Sequence, residues 1–179
     1  MVLVFLANGF EEIEALATVD ILRRAELDVT TVGIGGRLIR GAHGITVVAD
    51  VEESAFSMAG VDAIVLPGGL PGTLHLEKSD VVQTVLDYAV EHELVIGAIC
   101  AAPSILGHKG LLQGKRAICF PGYEQELTGA TIANEVAVAD GNFVTGKGAG
   151  SAVAFALKLV EVLTTPQDAK RLEASLQCR

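Results

Sequence analysis

A cysteine, a glutamate and a pair of glycines are the residues of this chain whose types and settings could act on a carbonyl carbon. Cys100 lies in Glu93-Leu94-Val95-Ile96-Gly97-Ala98-Ile99-Cys100-Ala101-Ala102-Pro103-Ser104, an apolar run that reads as a buried strand leading into a helix. Ala98 and Ala102, two places either side, are small enough for a sharp turn. This small-x-nucleophile-x-small pattern is the logic of a nucleophile elbow, with cysteine where hydrolases carry serine. Unpaired N–H groups and the dipole of the following helix are expected to favour a thiolate there. The same cysteine also reads as a small buried hydrophobe.

Glu14 is the candidate proton carrier. On a helix it shares a side with Thr18, Ile21, Leu22 and Ala25, a mostly apolar or small company that predicts partial burial and a raised pKa. Beside Cys100 such a carboxyl could hydrogen-bond the sulfur and pass protons, whereas alone it reads as a solvated helix glutamate. Glu11 and Glu12, in the first turn, are accounted for by capping and the helix dipole. Leu66-Pro67-Gly68-Gly69 closes another apolar run. Gly68 lets the backbone approach a ligand, and the Gly69 and Ala101 N–H groups could form an oxyanion hole, worth roughly 3 kcal/mol per donor. An ordinary glycine turn accounts for the same residues.

Positioning these groups requires parallel strands, because strand and helix patterns alternate along the chain. Strands are expected at Val2–Leu6, Leu27–Ile34 and Val61–Leu66, in the apolar run before Cys100, and at Arg116–Phe120. Helices are expected near Glu11–Ala25, Asp80–Glu91 and Ala152–Leu163, with a last amphipathic helix from Pro166. Arg40–Asp50 reads as a short strand or hairpin beside the main sheet, and Asp140-Gly141 as a hairpin turn. In such a sheet sites lie outside the carboxyl ends of the strands, so Ala7–Glu14, Leu66–Gly72 and the Cys100 elbow should converge.

The 179 residues suit one domain, 1–179, with no repeat, linker or low-complexity tract. Half are hydrophobic, yet no apolar run approaches the ~20 residues of a membrane span, and the apolar start lacks the basic flank of a signal peptide. The formal net charge of −9 and the absence of tryptophan argue against nucleic acid or an anionic membrane as partner. Three ill-spaced cysteines fit a reducing cytoplasm; Cys119 reads as core and Cys178 as a terminal bystander. His43 and His75 could line a pocket or lie on the surface, His92 sits among exposed glutamates, and a cap role suffices for His108. None of the four has metal-ligand spacing, so no metal is expected. Gly146–Ser151 lacks the spacing of a phosphate loop.

Together, Ala7–Glu14, Val19–Ala25, Asp62–Gly69, Ala98–Pro103 and Gly146–Ser151 resemble the ThiJ/PfpI superfamily, specifically its DJ-one, Parkinsonism-associated deglycase branch, over nearly the whole chain. The resemblance implies a flavodoxin-like three-layer α/β/α sandwich with a mainly parallel sheet and a nucleophile elbow, as in class I glutamine amidotransferases. It implies a homodimer with Arg24 near the partner chain. Cys100 would be an oxidation-prone nucleophile, Glu14 its protonated hydrogen-bond donor, and Gly69 and Ala101 the oxyanion donors. Three departures matter. Protease-like relatives carry a histidine where this chain has Ala101, so a peptidase lacks its base. Some relatives place a histidine near the cysteine where this chain has Phe120-Pro121, and His43 stands where some carry an arginine.

The function so implied is a cofactor-independent glyoxalase III, of hydro-lyase type, or deglycase, acting on methylglyoxal, glyoxal or their early adducts on side chains. From another class comes a redox sensor or redox-linked chaperone in which Cys100 is oxidised to sulfinate. A flavodoxin-like nucleotide binder is the remote third reading.

Overall fold

Strand β1 (Val2–Leu6) sets the layers, because its five side chains are all buried and alternate between two cores. The computed structural model describes residues 1–178; Arg179, the last residue of the expected 1–179 unit, lies outside the described residues. Leu3 and Phe5 face a core completed by helices α2 (Gly72–Lys78), α3 (Asp80–Glu91) and α4 (Pro103–His108). Val2, Val4 and Leu6 face a core completed by α1 (Glu12–Arg24), α5 (Ala152–Leu163) and α6 (Pro166–Ser175). The result is a three-layer α/β/α sandwich of the flavodoxin-like class.

The remaining strands are β2 (Val29–Gly33), β3 (Leu38–Arg40), β4 (Thr46–Val48), β5 (Val51–Glu52), β6 (Ala63–Leu66), β7 (Val95–Ile99), β8 (Arg116–Ala117), β9 (Thr131–Ile132), β10 (Ala137–Asp140) and β11 (Phe143–Gly146). The central sheet runs β10-β11-β7-β6-β1-β2-β5. Every pair in it is parallel except β10–β11. Burial on both faces explains why β1, β6 and β7 read as unbroken apolar runs. From β1 the chain moves outward to β2, then returns to place β6 on the other side of β1. This reversal opens a crevice at the carboxyl ends of β1 and β6, with β7 alongside.

Strands β3 and β4 form the expected hairpin as a separate two-stranded sheet. The turn expected at Asp140-Gly141 is shifted by one residue: Asp140 pairs with Phe143, leaving Gly141-Asn142 as the loop. Helix α2 was not anticipated, because Pro67–Gly72 carries only turn signals and seven residues is too short for a periodic pattern.

Candidate active site

Cys100 follows β7 with φ +66°, a left-handed conformation that a side chain adopts at a cost of about 1–3 kcal/mol. Two backbone hydrogen bonds hold it there. Its N–H donates to the Gly146 carbonyl at 2.9 Å, and its own carbonyl accepts the Phe120 N–H at 2.8 Å. The Ala102 N–H closes the turn onto the Ile99 carbonyl at 3.1 Å. Ala98 and Ala102 are fully buried on either side, so the small residues of the elbow are small because there is no room. Neither Gly146 nor Phe120 was identified from sequence as an anchor; both act through backbone atoms, which leave no mark in residue type.

Glu14 arrives from the crevice side. Glu11 caps α1 by accepting the Glu14 N–H at 2.7 Å, and the Glu11 N–H donates to the Gly68 carbonyl at 2.9 Å, which ties the helix start to the loop after β6. The Glu14 side chain is 1% exposed. Its Oε2 accepts the Gly68 N–H at 2.9 Å, and the carboxyl lies beside the Cys100 side chain, which lowers its pKa against the effect of burial. Oε1 has no hydrogen-bond partner among the described residues. Gly68 is the spacer between them: a Cβ there would fall 2.6 Å from both the Cys100 Cβ and Glu14 Oε2. Gly69 sits at φ +93°, and the Gly69 and Ala101 backbone amides lie near enough to Cys100 to pull its pKa down. The structure therefore brings Cys100, Glu14, Gly68, Gly69 and Ala101 to one place.

The electrostatics correct one expectation. Helix α4 begins only at Pro103 and has six residues, so Cys100 does not cap a long helix. Burial pushes the Cys100 thiol up to about 12, with the Glu14 charge the next cause, while the Ala101 and Gly69 amides pull the other way. Burial also raises Glu14 to about 7. The two groups are coupled. The expected thiolate is therefore not favoured at rest, because burial and Glu14 both hold the proton on the sulfur; protonating Glu14 removes its repulsion, and the groups that favour a thiolate are the Ala101 and Gly69 amides rather than a helix dipole.

Glu12 also differs from expectation. Capping and the helix dipole do not account for it, because it is 4% exposed and bonded to another segment. Its Oε1 accepts the His43 N–H at 2.8 Å and the Ile45 N–H at 3.3 Å, and its Oε2 lies 3.0 Å from His43 Nδ1. Burial raises its pKa, but these donors outweigh burial and hold it below the usual carboxylate range. Gly41 leaves room for it, since a Cβ there would meet the carboxyl at 2.3 Å. Glu11, Glu12 and His43 thus offer three potential ligand atoms within 4.8 Å of one another, a grouping that sequence spacing hides because the fold joins positions 31 residues apart. His43 itself is exposed. His75 lines a groove with Asn8, Arg40, Leu70 and Pro71 and meets the Asn8 carbonyl at 2.8 Å. His108 does more than cap α4: it bridges Glu77 and Glu126. Cys119 is buried in the core, and Cys178 is exposed. Arg24 pairs with Asp20 at 2.6 Å on the α1 surface. No helix among the described residues is long and apolar enough to cross a membrane.

Comparison with known proteins adds an independent line. The sequence profile of the DJ-1/PfpI family matches residues 1–162. Protein dj-1beta of Drosophila melanogaster is 33% identical over 177 residues, covering 97% of this chain and 95% of its own length. The glutathione-independent glyoxalase DJR-1.2 of Caenorhabditis elegans is 34% identical over 164 residues, covering 90% and 87%. Among solved structures, oxidized Toxoplasma gondii DJ-1 superposes with a TM-score of 0.94 at 35% identity, covering 98% of this chain and 97% of its own.

Proposed function

The chain belongs to the DJ-1/PfpI family, and from that premise we propose that it converts small 2-oxoaldehydes to 2-hydroxy acids by cysteine chemistry, without glutathione or another cofactor. The observation that carries the reading is the Glu14 carboxyl seated beside Cys100 across Gly68, with the Gly69 and Ala101 amides near the sulfur. The Cys100 sulfur adds to the aldehyde carbon of methylglyoxal, and the thiol proton ends on the aldehyde oxygen, giving a hemithioacetal. The two amides stabilise that oxygen while it carries charge. Glu14 as carboxylate removes the proton from the former aldehyde carbon to form an enediol, then returns a proton to the neighbouring carbon. The product is a thioester, and water cleaves its C–S bond to release lactate and the free thiol. A carboxyl poised at about 7 suits both halves of this transfer. Glyoxal would give glycolate, and early adducts of these aldehydes on side chains would enter by the same addition. The named glyoxalase among the relatives supports this class of substrate. We place the reaction in a reducing compartment, the cytoplasm, and in a homodimer.

The test is lactate formation from methylglyoxal without glutathione or metal, in wild type, Cys100→Ser and Glu14→Gln. Wild-type turnover with both variants reduced at least ~100-fold is expected. Lactate from Cys100→Ser at the wild-type rate overturns the reading.

A second reading rests on the donors around the sulfur. The Gly69 and Ala101 amides and a protonated Glu14 could equally hold the oxygens of a sulfinate, making Cys100 a redox sensor. An inactive wild type whose Cys100 alone gains two oxygens under mild peroxide would favour it.

A further inference from the structure

We propose that Phe120 and the groove it borders select substrates carrying an apolar substituent next to the reacting carbonyl, which makes Phe120 a specificity-determining residue. The inference rests on Cys100 as the nucleophile of the proposed function. Phe120 is fastened directly to that nucleophile, its N–H donating to the Cys100 carbonyl at 2.8 Å. Yet its side chain is 48% exposed, although most large apolar side chains of this chain are buried. The ring lies over the Gly148 backbone, where a Cβ would come within 3.2 Å of it. Beyond the ring runs a groove of about 370 Å³, lined by Phe120, Pro121, Val136, Gly148 and Ala149, with the exposed Lys147 beside them. Its walls are stitched together by the Lys147 N–H on the Val136 carbonyl at 2.9 Å. One wall starts at Gly146, whose carbonyl holds the Cys100 N–H.

The groove and the nucleophile are therefore fixed by the same two segments. The chemistry of the walls restricts what fits. Ser151, the hydroxyl at this groove, is already occupied, accepting the Gly148 N–H at 3.1 Å and donating to the Gly148 carbonyl at 2.8 Å. The groove thus presents apolar surface and an aromatic face, which bind an alkyl or aryl group by area and by ring stacking. The occupant is the substituent of a 2-oxoaldehyde bonded at Cys100. Glyoxal offers no such group, methylglyoxal offers one methyl, and phenylglyoxal offers a ring that matches Phe120.

The experiment compares kcat/KM for glyoxal, methylglyoxal and phenylglyoxal in wild type, Phe120→Leu and Phe120→Ala. It also compares alkylation rates of Cys100 by maleimide and N-phenylmaleimide, read by mass of the proteolytic peptide that carries Cys100. Rates are taken as ratios within each variant, so a general loss of reactivity cancels. The phenylglyoxal-to-glyoxal ratio is expected to fall about tenfold in Phe120→Ala, mainly through KM, with Phe120→Leu between. Ratios equal within about twofold across the three proteins overturn the proposal. If wild type turns over none of the aldehydes, the proposed function fails and the maleimide ratios decide the groove alone: a fall in Phe120→Ala sustains it and equality overturns it. A change of oligomeric mass in Phe120→Ala, seen by light scattering with the ratios unchanged, assigns the groove to a second copy and also overturns the proposal.

Discussion

At the scale of single residues, the chemistry depends on one proton shared by two buried groups. Raising Glu14 from 4.5 to about 7 means that the folded state holds a proton the unfolded chain has released between those values, so stability falls as pH rises through that window. The move corresponds to roughly 3 kcal/mol at most. Glu14→Gln should therefore be more stable than wild type at pH 8 by about 1–3 kcal/mol and close to it at pH 5, as urea unfolding at the two pH values will show. The same variant keeps a hydrogen-bond donor at the sulfur and loses the ability to move protons. Its Cys100 alkylation by iodoacetamide should stay within about tenfold of wild type while turnover collapses. Gly68→Ala is the harsher change. Its Cβ has no space between Cys100 and Glu14, and we expect loss of turnover together with a cost of about 1–3 kcal/mol in unfolding free energy. Cys100 and Glu14 were legible as residues, one from its elbow pattern and the other from the side of the helix it occupies. Their meeting was legible only through the alternation of strands and helices and the family resemblance, because it spans segments that the sheet brings together. Gly146 and Phe120 were illegible as anchors, since they contribute a carbonyl and an N–H that any residue could supply.

At the scale of elements, α1 carries two acids with opposite destinies. Glu14 points to the sulfur, while Glu12 holds the β3–β4 hairpin through its contacts with His43 and Ile45. Because its pKa is depressed, Glu12 contributes stability that is present above the ordinary value of 4.5 and lost as pH falls through the folded value. Glu12→Ala should cost about 2 kcal/mol at pH 7, with the difference from wild type shrinking in acid; denaturant midpoints at pH 7 and pH 3.5 measure it. His108 works in the other direction. Its hydrogen bonds to Glu126 and Glu77 raise its pKa, so it stabilises below pH 6.5 and the contribution fades as pH rises through the folded value. Periodicity located α1, α3, α5 and α6 to within about a residue because each is long and has a clear cap or apolar stripe. It missed α2 and the role of Glu12 for one reason: both are decided by partners distant in sequence, and local pattern carries only local information.

At the scale of the whole molecule, the order of strands does the positioning. The reversal between β1 and β6 makes the crevice, and the parallel arrangement brings the ends of β1, β6 and β7 to the same edge. The proposed homodimer belongs to this scale. Ile13 and Leu16 on α1 and Leu38, Ile45 and Val48 on the hairpin leave large apolar side chains exposed. Light scattering should return twice the 18.6 kDa chain mass, and Leu16→Glu should shift it toward the monomer. The same architecture has a consequence in time. Glu14, Gly68 and Cys100 are made first, but the carbonyl that pins the Cys100 N–H belongs to Gly146, 46 residues further along the chain. A nascent chain that has emerged from the ribosome only as far as α4 carries the thiol without the acceptor that fixes it. Translation itself therefore sets the hour at which the nucleophile is armed, and it comes only after the 46 residues from the thiol to Gly146 have been made.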